Sequence, residues 1–265
     1  MMYLFDDIDN IKTRINGAVM FLFLDFDGTL APIVDLPSNA VLSEENRKLL
    51  ILLSETEKCR LAIISGRELK DIKKRIGIAN ISYAGNHGFE IESPDFKYTI
   101  PLYDEYRSVV CKLKKEIENC IPEKKGIWIE DKNFTLSVHY RAVDKFDIDS
   151  VKKYIKDITA HYAANNLITV KEGKKVIEIH PPVKWNKGEV VLYLIEKWVA
   201  ESAHSECIPI YVGDDVSDED AFKEIKNFGL TVYIGNPTLT NAQYYLNNTD
   251  EVSKLLKEFL KLMRN

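Results

Sequence analysis

Asp25-Phe26-Asp27-Gly28-Thr29 sets two carboxylates two residues apart, directly after the apolar run Ala18 to Leu24. Alternate side chains of an extended chain project to the same side, so both carboxylates can address one site. Gly28 lets the backbone turn sharply behind them. Carboxylates this close repel one another unless a cation intervenes or one of them holds a proton, and both solutions are useful in phosphate chemistry. Three further stretches have the same character. Ser65-Gly66-Arg67 follows an apolar run ending at Ile64. There a hydroxyl and backbone N–H groups can hold a phosphate oxygen at the start of a helix, and Ser65 can equally serve as a helix cap. Lys187-Gly188 opens another helical pattern. Its lysine is either a solvated surface charge or a cation that neutralises phosphate beside a carboxylate site. Gly213-Asp214-Asp215-Val216-Ser217-Asp218 follows the apolar run Ile208 to Val212. Carboxylates from two strand ends, with a phosphate oxygen and water, can build the six-oxygen shell that magnesium prefers. Acidic residues at a helix start are also favourable in their own right, which suffices for Glu219 and Asp220.

The elements that must position these residues are short apolar strands alternating with amphipathic helices. Ala18 to Leu24, Arg60 to Ile64, Ile208 to Val212 and Leu230 to Ile234 read as buried strands. Helices are predicted from Leu4 to near Gly17, from Ser43 to about Glu57, from Glu68 to Ile76, from Lys187 to Ala200, from Glu219 to Ile225 and from Val252 to Leu262. That alternation predicts an α/β fold, a doubly wound, Rossmann-like, mostly parallel sheet in which ligands bind beyond the strand ends. Between the two halves the pattern becomes helix, strand, strand, stated twice. The helices are Tyr103 to Ile117 and Val151 to Ala163, and the breaks Asp131-Lys132-Asn133 and Glu172-Gly173-Lys174 suit hairpins. The expected organisation is a core of residues 1–92 and 182–265 with an inserted α+β domain at 93–181.

A chain of 265 residues that is 45% hydrophobic can support two such units. A formal net charge of −5 argues against nucleic acid or an anionic membrane surface as partner. Cys59, Cys111, Cys120 and Cys207 form no C-x-x-C pair, so they are expected to be reduced and structural. Ala18 to Leu24 is too short to span a bilayer and leads into acidic residues, so a cytoplasmic protein is the expectation.

In order and spacing, D-F-D-G-T, S-G-R, K-G and G-D-D-x-x-D strongly resemble the four motifs of the haloacid dehalogenase superfamily of phosphatases. The resemblance implies that Asp25 is a nucleophile forming an aspartyl-phosphate and that Asp27 is the general acid/base. It implies a magnesium ion held by the Asp25 side chain, the Asp27 backbone carbonyl and Asp214. Ser65 and Lys187 would hold phosphate oxygens, with Gly66, Arg67, Asp215 and Asp218 as support, and the insertion would be a cap domain.

Within that superfamily, Tyr83 to Glu90, Glu130-Asp131-Lys132, Val138 to Arg141, Val176 to Pro181 and the extended last motif through Phe222 resemble trehalose-6-phosphate phosphatases over nearly the whole chain. The likeness implies that Glu130, Lys132, Arg141 and Glu178 contact sugar hydroxyls from the cap and that His87 borders the same cleft. Glu130 and Lys132 also fit an ordinary hairpin charge pair. His180 departs from the family, which more often has a permanently charged residue before this proline. The resemblance implies a small sugar phosphate, trehalose 6-phosphate, as the substrate, hydrolysed to trehalose and inorganic phosphate in the last step of trehalose biosynthesis. The rivals are another capped sugar phosphatase, acting on sucrose 6-phosphate, a mannosyl-phosphoglycerate or a hexose phosphate, and a silent sugar-phosphate-binding module. The chain has no room for the glucosyltransferase domain of some relatives, and a covered site needs no partner chain, so a free-standing monomer is expected.

Overall fold

The computed structural model describes residues 1–34, 36–101, 103–120, 126–173, 175–201, 206–236 and 239–264. The chain divides into two compact units, one of Met1–Tyr98 with Trp185–Asn265 and one of Thr99–Lys184.

In the larger unit β1 (Met2–Tyr3) precedes α1 (Ile8–Ile15), β2 (Val19–Leu24), α2 (Glu44–Ser54), β3 (Cys59–Ile64) and α3 (Leu69–Ile76). The strands β4 (Ser82–Gly85), β5 (Glu90–Glu92) and β6 (Lys97–Thr99) come next. The smaller unit contributes α4 (Tyr103–Cys120), β7 (Trp128–Asp131), β8 (Leu136–His139), α5 (Ile148–Ala164), β9 (Thr169–Gly173) and β10 (Val176–His180). The larger unit then resumes with α6 (Lys187–Glu201), β11 (Cys207–Gly213), α7 (Glu219–Ile225), β12 (Leu230–Ile234), β13 (Tyr244–Leu246) and α8 (Thr249–Met263).

The larger sheet has nine strands in the order β1-β13-β12-β11-β2-β3-β4-β5-β6. All pairs from β1 to β4 are parallel, and β5 turns back antiparallel on β4. From the β2/β11 pair chain order runs outward through β3 to β6 on one side and through β12 and β13 on the other, so the crevice beyond those two strands is the topological switch point. Alternation along β2 divides the core. Met20, Leu22 and Leu24 face α1, α2, α3 and α8, whereas Phe21 and Phe23 face α6 and α7. Trp198 of α6 stacks on Phe23 at 5.2 Å and meets Phe21 edge-on at 5.2 Å. Because both faces are covered, β2 can be apolar throughout.

Local signals set the helix ends. The Ser43 side chain accepts the Asn46 N–H at the start of α2, Gly77 ends α3 in the left-handed conformation, and Asn248 caps α8. The α3 cap is Glu68 and not Ser65.

The smaller unit is an antiparallel sheet in the order β7-β8-β10-β9. Leu136, Val138, Ile177 and Ile179 pack with Val110 and Leu113 of α4 and Val151 and Ile155 of α5, so both helices cover the same face. Asn133 takes φ 66° in the β7–β8 turn. Of the second expected turn, Lys174 lies outside the described residues, while β9 and β10 pair on either side of it.

Five strands were not predicted, β1, β4, β5, β6 and β13. They are two to four residues long and polar or mixed, so they lack the apolar run that marks β2. Because β6 extends the larger sheet, that unit continues to Tyr98 and resumes at Trp185, not at 92 and 182. Cys59, Cys111 and Cys207 are free thiols, and the Cys120 side chain lies outside the described residues. Among the described residues no helix is long and apolar enough to cross a membrane.

Candidate active site

Asp25 and Asp214 are the first residues beyond the two central strands, and the Asp25 N–H continues the ladder by donating to the Val212 carbonyl at 3.0 Å. The chain then folds under them at Gly28, whose φ is +87°. A Cβ at Gly28 would overlap the Asp214 carboxylate. Gly28→Ala should therefore cost roughly 1–2 kcal/mol in backbone strain and displace Asp214 besides; urea unfolding and the activity of the same variant measure the two effects.

Lys187 is the first residue of α6, which starts beside the same crevice. Its Nζ lies 2.8 Å from Asp25 Oδ1 and 2.7 Å from Asp218 Oδ1. All three side chains are almost wholly buried. Asp218 is saturated with donors. Oδ1 accepts from Lys187 and from the Tyr211 hydroxyl at 2.7 Å, and Oδ2 accepts from the backbone N–H groups of Asp214 at 3.0 Å and Asp215 at 2.9 Å. Asp218 thus holds the lysine and the Asp214-Asp215 backbone in place.

The electrostatics follow from this packing. Burial pushes the Asp25 carboxyl well above the usual range, with Lys187 opposing and Asp218 and Asp214 adding to the rise. Burial alone would lower Lys187, but Asp218 and Asp25 outweigh it and hold the ammonium well above its ordinary value. Asp214 is pushed up to about 7, first by burial and then by Asp218. Oxygen atoms of Asp25, Asp214 and Asp218 lie within 4.8 Å of one another. One buried lysine cannot neutralise three carboxylates, and the donors are all oxygen, which fits a hard divalent cation. With Asp218 already saturated, Asp25 and Asp214 are the side chains able to hold it.

Asp27 sits at the rim with its carboxylate gripped by both arms of Arg67, Nε to Oδ2 at 2.6 Å and Nη2 to Oδ1 at 2.5 Å. Arg67 also bonds Asp71 at 3.0 Å and the Pro37 carbonyl at 2.8 Å, and lies over the Phe26 ring. Its support for the site therefore passes through Asp27. Ser65 is buried, and its hydroxyl accepts the Arg67 N–H at 3.2 Å. The imidazole of His87 packs on Gly66, where a Cβ would lie 2.7 Å from it.

In the smaller unit Glu130 lies 3.5 Å from Lys132 Nζ and 3.1 Å from His139 Nε2. Burial raises the Glu130 carboxyl, but His139 and Lys132 outweigh it and bring it below the ordinary value. Glu178 is 3.4 Å from His180 Nε2, and Arg141 is exposed in the turn after β8. Glu130, Ser137, Glu178 and Lys171 form one cross-strand row.

Residues 23–250 match the trehalose-phosphatase family. The chain belongs to that family. Trehalose-phosphate phosphatase B of Arabidopsis thaliana is 32% identical to it, over 97% of this chain and 70% of that protein. Probable trehalose-phosphate phosphatase 2 of Oryza sativa subsp. japonica is 33% identical over 96% and 70%. Among solved structures, the C-terminal domain of C. albicans trehalose-6-phosphate phosphatase superposes with a TM-score of 0.81 at 25% identity, covering 98% of both chains. The C-terminal domain of a Candida albicans trehalose synthase regulatory protein shares the fold, with a TM-score of 0.71 at 15% identity over 94% of this chain and 97% of that one.

Two contributors at this candidate site went unread in the sequence. Tyr211 looks like one more apolar residue of β11, and only the fold shows its hydroxyl on Asp218. Asp71, which braces both Arg67 and Arg75, looks like an ordinary helical surface charge.

Proposed function

We propose that this chain hydrolyses trehalose 6-phosphate to trehalose and inorganic phosphate, the closing step of trehalose synthesis, with Asp25 as the nucleophile. The observation that carries the reading is the buried Asp25–Lys187–Asp218 cluster at the switch point of the sheet, in a chain whose residues 23–250 match the trehalose-phosphatase family. Attack by the Asp25 carboxylate on phosphorus forms an aspartyl-phosphate and expels the sugar oxygen, and water then attacks the same phosphorus and frees Asp25. Lys187 draws charge from the nucleophile and from the incoming phosphate. Ser65, whose oxygen already accepts from Arg67, has its hydroxyl proton to offer a phosphate oxygen. Asp27 protonates the leaving oxygen and later takes a proton from water, so its pair with Arg67 has to part during each cycle.

Magnesium is the cation that this oxygen-only donor set suits, held by Asp25 and Asp214 with the Asp27 carbonyl, and it would offset charge on the phosphoryl group. The smaller unit is read as the cap. Glu130, Lys132, Arg141 and Glu178 supply the charged hydrogen-bonding groups that a disaccharide rich in hydroxyls requires. His87 is read as a further substrate contact, and the enzyme as a cytoplasmic monomer.

A panel of sugar phosphates tests the assignment. Phosphate release from trehalose 6-phosphate should exceed that from glucose 6-phosphate by roughly a hundredfold in kcat/KM, should stop on chelation and should return with added magnesium. Equal rates on the two sugars would remove the disaccharide from the reading. Shared folds do not guarantee turnover, so a complete absence of phosphate release would favour a regulatory binding module.

A further inference from the structure

The face of the smaller sheet that points away from its two helices carries an aromatic group that none of the roles above uses. Alternation along β7 sends Ile129 and Asp131 toward the helices, where Asp131 pairs with Arg107 of α4 at 2.6 Å. Trp128 and Glu130 must then project to the other face. On β8 the same rule leaves Ser137 and His139 on that face, opposite Glu130 and Trp128 in register. The rings of Trp128 and His139 stack with centroids 4.5 Å apart and planes inclined by 20°, while His139 Nε2 reaches Glu130. One face of the indole is thus covered by imidazole, yet half of the Trp128 surface, 50%, remains exposed. The second face of the indole is left available to a flat apolar partner. A second observation points the same way. The hydroxyl of Ser137 is fully buried and, among the described residues, without a hydrogen-bond partner. Such an orphaned group calls for a polar ligand atom or water.

We infer that Trp128, braced by His139, is a stacking platform for a pyranose ring, with Glu130, Lys132 and the Ser137 hydroxyl supplying the polar contacts beside it. A sugar ring has an apolar C–H face and a hydroxylated rim, and this surface offers an aromatic plane next to a carboxylate, an ammonium and a hydroxyl. Residues two apart on a strand are separated by about 7 Å, so the platform and Glu130 can reach one ring together. The inference builds on the reading of the smaller unit as the part that recognises sugar, and it assigns Trp128 a share in substrate affinity that the charged residues do not cover.

The experiment compares wild type, Trp128→Ala and Trp128→Phe in the intact chain. The probes are the sugar phosphate that the wild type turns over best and a small aryl phosphate ester with no sugar. Trp128→Ala should raise KM for the sugar phosphate roughly tenfold with kcat nearly kept, and leave both constants for the aryl ester within about twofold of wild type. Trp128→Phe should restore most of the affinity, because it keeps an aromatic plane. An unchanged KM for the sugar phosphate in Trp128→Ala overturns the platform, as does an equal loss on both substrates, which would mark Trp128 as a packing residue. Should the best wild-type substrate prove to be a sugar phosphate other than trehalose 6-phosphate, the disaccharide assignment falls while the platform is still judged by the same ratio.

Discussion

Asp25→Asn is expected to lower kcat for phosphate release by at least about 10⁴-fold, because an amide cannot form the acyl phosphate through which the proposed reaction proceeds. The fold should survive intact. Asp25, Lys187 and Asp218 together bury two negative charges against one positive charge, and the asparagine variant leaves one neutral pair. The carboxyl at this position is already disfavoured as an anion by burial, so a neutral isostere relieves that cost. Thermal unfolding should show a melting temperature equal to or above that of the metal-free wild type. Single-turnover assays with radiolabelled phosphate should find label on the wild-type protein and none on the variant. Substantial steady-state activity in the variant would move the nucleophile elsewhere.

The contrast between Asp25 and Asp218 shows how much of the site could be read before folding. Three of the four motifs announce themselves because each follows an apolar strand, and strand ends in a parallel sheet converge at one edge, whereas Lys187 opens α6. That convergence is legible from hydrophobic patterning, since β2, β3 and β11 are long, apolar and flanked by helices. The pairing of β2 with β11 is not legible. It brings together residues nearly two hundred positions apart, and the strand order depends on packing across the whole unit. The motif therefore puts Asp218 among the supports of the site, and only its four donors reveal that it locks Lys187 and the Asp214-Asp215 backbone. Ser65 shows the limit from the other side. Its spacing suits a helix cap, yet α3 begins later, at Leu69, and the buried serine hydroxyl instead accepts the Arg67 N–H. The short strands β4 to β6 were missed for a related reason, since they are held by their neighbours more than by their own composition.

Lys187→Met should be the most destabilising single change in the site. The methionine keeps the apolar length of the side chain but removes the charge that sits between Asp25 and Asp218. Breaking a buried pair by deleting one partner typically costs about 3–5 kcal/mol, because the remaining charge is left without compensation. Here two carboxylates are left, with Asp214 close by, so urea unfolding should show a loss toward the upper end of that range. A solvated surface lysine would instead change stability by less than about 0.5 kcal/mol. The double variant Lys187→Met/Asp25→Asn separates the two roles of the lysine. Removing the Asp25 charge should recover a measurable part of the lost stability, because one of the orphaned carboxylates is gone, while activity should stay as low as in Asp25→Asn alone. Non-additivity in stability reports the direct contact between the two side chains. If the stability losses were simply additive, the Lys187 and Asp25 side chains would not be paired in solution, and charge transfer from nucleophile to lysine would lose its structural basis.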